Sequence, residues 1–357
     1  MAQPRIIISG YYGCGNAGDE AILAGVLAGL RRTLPDARPL VATAAPADFE
    51  HGDIADAFRR YGLRRWSQAL KEGDLLLLGG GSLIQDATSF RSLAYYLTVM
   101  AAAQRYKLKT MIYAQGVGPL RRGISRALAG RVLRRADRVV VRDGVSYKML
   151  LDMGIEESKL VLAADQVLLL DPPERATEDT LAVVVRDWHG LERVLDPLAK
   201  ALDASPLPVV FIPFQPGDST AIARLRGRMT RGSRIAPYGG WRDTWEWVAR
   251  SRAVLAMRLH GLIFAAAAGV PCVGLSYDPK VAAFAQEAEV EAWVDLDGLT
   301  EEQVSRGIAK AAAAPLGIRE SVRRLAERAW LAPQAAAKVL AAAPSIVEQV
   351  SPIGESK

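Results

Sequence analysis

Short β-branched or Leu-rich runs alternate with helix-periodic segments along most of the chain, the pattern of parallel α/β sheets. The first half predicts strands at Arg5–Ser9, Leu40–Ala42, Asp74–Leu78, Thr110–Ala114, Arg138–Val141 and Leu160–Leu162. Helices are predicted between them, notably Asp19–Arg32, Phe90–Arg105 and Ser125–Arg135. Asp171-Pro172-Pro173 breaks the alternation and opens a polar stretch through Thr180, the best linker candidate. Strands then resume at Leu181–Val185, Val209–Pro213, Arg234–Ala236, Ala253–Met257 and Cys272–Leu275, with a small-residue helix at Leu262–Ala268. Beyond Thr300 the chain is Ala-rich and helical, with a polar tail from Ser351. The expected architecture is two Rossmann-like, doubly wound α/β domains facing across a cleft, at 1–172 and 181–325, followed by a helical segment and tail at 326–357. No internal repeat suggests a solenoid.

The length of 357 residues supports two domains of ordinary size. Half the residues are hydrophobic and about a quarter charged, a globular composition. The net charge of +6 comes mostly from paired arginines: Arg31-Arg32, Arg64-Arg65, Arg121-Arg122 and Arg134-Arg135. Such pairs suit phosphorylated ligands or an anionic membrane face, and solvated surface is the plainer reading of any single pair. Nothing here points to nucleic acid. Cys14 and Cys272 form no metal spacing. Without a signal-peptide pattern, the expected setting is reducing and cytoplasmic. Apolar runs such as Leu93–Ala103 are too short to span a bilayer, so any membrane contact is expected to be peripheral, at its inner face.

Three predicted strands of the first half run into glycine-rich turns. Gly10-Tyr11-Tyr12-Gly13-Cys14-Gly15-Asn16-Ala17-Gly18-Asp19-Glu20 joins a strand to a helix start, where backbone N–H groups can hold an anion. It is not a dinucleotide fingerprint, because Ala42-Thr43-Ala44 stands where an acidic residue should follow the second strand. It also lacks the Gly-Lys-Ser/Thr of a P-loop. A tight turn with Asp19 capping the helix explains the pattern equally well. The second turn, Gly79-Gly80-Gly81-Ser82-Leu83-Ile84-Gln85-Asp86 with Thr88-Ser89 after it, and the third, Tyr113–Leu120 with Gln115 and Gly116, lie at the same sheet edge. Together they argue for a ligand-lined cleft bearing Gly13, Asn16, Asp19, Gly80, Gly81, Ser82, Gln85, Asp86, Gln115 and Gly116.

Cations also gather at strand ends. Arg142 follows Arg138–Val141 and precedes Asp143, a plausible N-cap; an ion pair with Asp143 or a facing loop is the alternative reading. Arg186 stands similarly after Val183–Val185. In Met257-Arg258-Leu259-His260-Gly261-Leu262 and Ser276-Tyr277-Asp278-Pro279-Lys280, residues from neighbouring parallel strands reach one edge. Arg258, His260 and Lys280 are therefore expected in one crevice with Tyr277, a cationic pocket for a phosphorylated or carboxylated substrate. His51 and His189 have no such setting. Trp241, Trp245 and Trp247 read as core or interface packing, with Trp241 also able to stack on a sugar ring.

Gly10–Leu23, Gly79–Ser89, Tyr113–Leu120, Arg142–Ser146, Met257–Val270 and Gly274–Lys280 together resemble the polysaccharide pyruvyl transferase family, most closely its CsaB branch. The resemblance runs from about residue 5 to about residue 330, and Arg-Leu-His-Gly with Ser-Tyr-Asp-Pro-Lys is its most specific part. It implies a GT-B-like pair of Rossmann-like domains and transfer of pyruvate from phosphoenolpyruvate to a sugar as a cyclic ketal. In the CsaB branch it implies modification of a cell-wall polysaccharide that anchors S-layer proteins. The conserved Arg, His and Lys of the family fall on Arg142, His260 and Lys280. Two departures bear on loop shape: Ala164-Asp165-Gln166 where Ala-Asp-Pro is expected, and Arg186-Asp187-Trp188 where Arg-Pro-Trp is expected.

The implied chemistry agrees with these residues. Phosphoenolpyruvate carries a phosphate and a carboxylate and needs fixed cations, here Arg142 and Lys280. An imidazole such as His260 suits proton transfer in both directions, and Asp19, Asp86 or Gln85 would orient acceptor hydroxyls. No metal and no cofactor is called for. The expected acceptor is N-acetylmannosamine on a lipid-linked saccharide, reached through Arg121-Arg122 and Arg134-Arg135 at the membrane face; the oligomeric state stays open. Two other readings remain: a GT-B glycosyltransferase using a nucleotide sugar, and a glycan-binding protein without catalysis.

Overall fold

Leu75, Leu76, Leu77 and Leu78 are all buried, on both faces of their strand, as a central strand between two helix layers requires. Each contributes about 1.5–3 kcal/mol by leaving water. The computed structural model describes residues 3–87, 89–174 and 177–342. Thr88, positions 175–176 of the predicted linker and the tail from Ser351 lie outside the described residues.

The first sheet is parallel throughout and comprises β1 (Arg5–Ser9), β2 (Arg38–Thr43), β3 (Asp56–Arg59), β4 (Leu75–Gly79), β5 (Lys109–Gln115), β6 (Arg138–Val141) and β7 (Leu160–Leu162). Their spatial order is β3-β2-β1-β4-β5-β6-β7. The second, also parallel, comprises β8 (Glu178–Val184), β9 (Val209–Phe211), β10 (Ser233–Ile235), β11 (Ser251–Ala256), β12 (Cys272–Ser276) and β13 (Ala292–Asp295), in the order β10-β9-β8-β11-β12-β13. In each sheet the order reverses beside the first strand, between β1 and β4 and between β8 and β11. Crevices open at such switch points, outside the carboxyl ends of the strands.

Five helices accompany the first sheet: α1 (Ala17–Thr33), α2 (Leu63–Glu72), α3 (Phe90–Arg105), α4 (Gly123–Leu133) and α5 (Gly144–Asp152). Six follow strands of the second: α6 (Leu191–Asp203), α7 (Asp218–Arg226), α8 (Trp241–Arg250), α9 (Leu259–Ala267), α10 (Pro279–Glu287) and α11 (Glu301–Ala313). The last two, α12 (Glu320–Ala329) and α13 (Leu331–Ala341), return to the first half. There α13 packs on α1 and on β5, β6 and β7, and Arg328 Nε donates to Ala163 O at 2.8 Å.

The two halves meet along α1. Ala17 N donates to Phe214 O at 2.8 Å, Asn16 Nδ2 to Gln215 Oε1 at 3.1 Å and Tyr238 Oη to Gly15 O at 2.8 Å. One buried apolar cluster runs through both halves. Trp241 and Trp245 on α8 belong to it, and Trp245 stacks on Phe264 with ring centroids 5.0 Å apart. Trp241 is thus packed in the core and offers no free face to a sugar.

Candidate active site

Asn16 caps α1, its side-chain oxygen accepting from Gly18 N at 3.0 Å. That task does not fall to Asp19, which sits in the first helical turn. The missing side chain at Gly18 makes room for the His260 ring, whose Nδ1 occupies the place a Cβ would take. Gly80 serves packing: a methyl there would strike Cγ2 of Ile22 on α1. At Gly116 a Cβ would stand 2.9 Å from Ser82 Oγ and 3.2 Å from Arg142 Nε, so glycine leaves the space the guanidinium fills. Gly13 turns the chain in the left-handed region (φ +70°) and its N–H donates to Glu20 Oε1 at 2.7 Å. Gly81 also has positive φ and faces Asp19 Oδ1.

Arg142 leaves β6 just before Asp143, the N-cap of α5. Lys280 lies in the first turn of α10 and His260 in the first turn of α9. The first belongs to one half of the chain and the other two to the opposite half, and all three converge. Ser82 Oγ accepts from Arg142 Nη2 at 3.2 Å and from Lys280 Nζ at 3.3 Å. Lys280 Nζ also donates to Gly118 O. Arg142 Nη1 donates to Asp165 Oδ2 at 2.7 Å, and His260 Nε2 stands 3.6 Å from the same oxygen. Arg142, Asp165 and Lys280 are buried.

The electrostatics follow from this crowding. Burial pushes the Lys280 ammonium down to about 8, and the Arg142 charge acts the same way. Burial also raises the Asp19 carboxyl to about 6, against the pull of His260, Arg142 and Arg258. For Asp165 burial acts upward too, but His260 and Arg142 outweigh it and hold the carboxyl well below the usual range. The site therefore couples a firmly ionised carboxylate to an imidazole and a guanidinium, beside a second carboxyl that burial raises to about 6. Glu20, raised by burial to about 7, lies behind Gly13.

The family model described as polysaccharide pyruvyl transferase matches residues 16–279, most of the chain and nearly all of this constellation. The chain belongs to the polysaccharide pyruvyl transferase family. No curated protein matches the sequence. Among solved structures, the UDP-GlcNAc 2-epimerase of Methanocaldococcus jannaschii superposes with a TM-score of 0.62 at 12% identity, covering 95% of this chain and 99% of that one. HepE of Anabaena, in complex with UDP and glucose, gives 0.64 at 13% identity with the same coverage. The calicheamicin glycosyltransferase gives 0.52 at 15% identity, covering 95% and 97%. These likenesses show the fold: this member of the pyruvyl transferase family has two parallel-sheet α/β domains arranged in the GT-B manner.

Other residues expected at the cleft have contacts of their own. Arg258 lies near enough to Asp19 to pull on its carboxyl, but its guanidinium is committed to a two-pronged ion pair with buried Asp218 at the start of α7, with Nε 2.9 Å from Oδ2. Asp86 accepts from Arg121 N at 2.7 Å and Arg122 N at 3.0 Å, which ties its carboxylate to the approach to α4. Gln115 is fully buried, donating to Leu78 O at 2.7 Å. Tyr277 Oη accepts from Arg186 Nη1 at 2.7 Å, on the second half's side of the cleft. Gln85 is half-buried in the loop that carries Ser82. Asp165 is the residue that sequence reasoning passed over as a mere departure in loop shape. Its signal was position: an acidic residue at the exit of an apolar strand, in the same sheet as Arg142. Gln166, beside it, donates to Ala329 O at 3.1 Å and so anchors the end of α12.

Proposed function

We propose that this protein transfers pyruvate from phosphoenolpyruvate to a sugar as a cyclic ketal, with release of phosphate. The carrying observation is the meeting of Arg142 and Lys280, from opposite halves, on one serine hydroxyl beside His260. A donor with two anionic groups needs two fixed cations, and drawing them from two domains ties binding to closure of the cleft.

In this reading a proton adds to the methylene carbon of the enol, leaving oxocarbenium character at C2. An acceptor hydroxyl attacks C2 and gives up its proton. The C2–O bond to phosphate then breaks, and a second hydroxyl closes the ring as its own proton departs. His260 moves the protons, oriented by ionised Asp165 through the 3.6 Å contact. Arg142 and Lys280 offset the charge on the departing phosphate. Asp19, raised by burial to about 6, takes a proton from an acceptor hydroxyl in this reading.

The residue-level resemblance to the CsaB branch further supports an N-acetylmannosamine-containing, lipid-linked cell-wall polysaccharide precursor as acceptor, at the cytoplasmic side, with a role in S-layer anchoring. The GT-B likeness favours a second reading, glycosyl transfer from a nucleotide sugar, although a fold hosts many chemistries. Product analysis separates them. With phosphoenolpyruvate and lipid-linked disaccharides, the expected products are phosphate and an acceptor heavier by one ketal-linked pyruvate, by mass spectrometry. His260→Ala should lower turnover by about a hundredfold or more with the fold retained. Release of a nucleotide instead of phosphate, or near-normal turnover of the variant, refutes the assignment.

A further inference from the structure

Away from the Arg142–His260–Lys280 cluster, the carboxyl-end rim of the first sheet carries an unusual surface. The sequence holds no acidic residue between Asp56 and Glu72, and none between Asp86 and Asp137. These stretches supply the starts of α2, α3 and α4. All three helices follow parallel strands, so their first turns rise side by side at that rim. Contacts join them: Tyr61 meets the Tyr95 ring of α3 at 5.5 Å, Tyr95 Oη donates to Arg60 O at 2.8 Å, and Arg122 lies over the Phe90 ring at 5.6 Å.

Arg64, Arg91, Arg121 and Arg126 are exposed there, and among the described residues none has a carboxylate within ion-pair distance. Arg60 is met by Tyr61 Oη at 2.8 Å and by the rings of Tyr11 and Tyr61, again without a carboxylate. Asp86 spends both oxygens on backbone N–H groups, and the exposed acids of this edge, Asp48, Glu50 and Asp53, sit apart on the loop after β2, where Glu50 pairs with Arg242. Set among these cations are four exposed apolar side chains: Leu63 at 85%, Tyr61 at 65%, Ile124 at 61% and Leu128 at 39%. Ile124 and Leu128 share one face of α4 by their four-residue spacing.

We propose that this rim docks on an anionic bilayer surface. Guanidinium groups without internal counter-ions suit lipid phosphates. Exposed Leu and Ile between them gain burial only from a partner with an apolar interior, which a soluble polyanion lacks. The paired Arg134-Arg135 do not belong to it: they lie at the far end of α4, where Arg134 Nη1 donates to Met153 O at 3.2 Å. The rim adjoins the cleft, since α4 begins shortly after Gly118, whose carbonyl Lys280 grips. Using this face to reach a lipid-linked acceptor rests on the function proposed above; affinity for vesicles does not.

The test is co-sedimentation of the full chain with phosphatidylcholine vesicles, with and without phosphatidylglycerol. Binding is expected only with phosphatidylglycerol, and it should be lost at high salt. The triple variant Arg64→Ala, Arg121→Ala, Arg126→Ala should bind about a hundredfold more weakly, on the order of fivefold per arginine. Leu63→Ser with Ile124→Ser should cost about tenfold while leaving the salt dependence in place. Arg105→Ala with Arg135→Ala, at the opposite end of the same helix layer, should bind like the parent. The substituted side chains are exposed, so unchanged melting curves will certify folding. Three results each overturn the proposal: no binding at low salt, an equal loss in the Arg105/Arg135 variant, or binding to soluble polyphosphate without binding to vesicles.

Discussion

Replacing Asp165 by Asn tests the buried charge arrangement at its centre. The amide keeps the volume and removes the negative charge that faces Arg142 Nη1 at 2.7 Å and His260 Nε2 at 3.6 Å. Arg142 would keep its hydrogen bond to Ser82 and a looser contact to Asp143 at 3.9 Å. Removing one partner of a buried pair costs about 3–5 kcal/mol, and the surviving contacts place this change near 3 kcal/mol. At roughly 2–4 °C per kcal/mol for a unit of about 200 residues, Tm should fall by about 6–12 °C. The pH dependence gives a second readout. Asp165 is held well below the ordinary carboxylate range, so its stabilisation is complete above about pH 4 and drains away as pH falls further. The amide variant lacks that contribution at every pH. The gap in Tm between the parent and Asp165→Asn should therefore be widest near neutrality and should close on acidification, as followed by scanning calorimetry. Equal melting temperatures at neutral pH, or a gap that stays constant into acid, would show that Asp165 does not carry the pair.

Lys280, pushed down to about 8, should lose its charge as pH rises through that value. Phosphoenolpyruvate affinity measured by calorimetric titration should then decline above about pH 8, and Lys280→Arg should move the decline upward; a flat profile removes Lys280 from the anion clamp. Gly80→Ala should destabilise by about 1–3 kcal/mol in urea unfolding, because its methyl meets Cγ2 of Ile22, and the loss on adding Gly80→Ala should be smaller in an Ile22→Ala background, which lacks that carbon. Weakened phosphate release at unchanged stability would instead mean that Gly80 faces the ligand.

The central strands were legible because parallel strands between helix layers are apolar on both sides. Ile6–Ile8, Leu75–Leu78 and Val139–Val141 announce themselves. The edge strands β3 and β13 were not, being short and half-exposed with Asp56, Arg59, Trp293 and Asp295 turned to water. Topology placed His260 and Lys280 at one edge of the second sheet and Arg142 at the matching edge of the first, and the family resemblance joined the three. Topology also put Arg258 near the site, where it pulls on Asp19, without showing that its guanidinium is committed to Asp218 at the start of α7. Asp165 was hidden for a different reason. Its role depends on which cations approach from β6 and from the other half of the chain, and no local pattern encodes that.

The return of α12 and α13 to the first sheet has a consequence for biosynthesis. The sheet is complete in sequence by Leu162, yet the helix covering β5, β6 and β7 ends at Ala341, about 180 residues later. At roughly 5–20 residues per second, the ribosome needs about 10–35 s to supply that cover. During this interval the nascent first half exposes apolar surface that the finished protein conceals, and the strand exit bearing Asp165 lacks the Arg328 and Gln166 bonds that fix it. The first half to be translated is thus the last to be finished. Shortening the C-terminus into α13 should expose that surface permanently, and the damage should appear in the amino-terminal sheet.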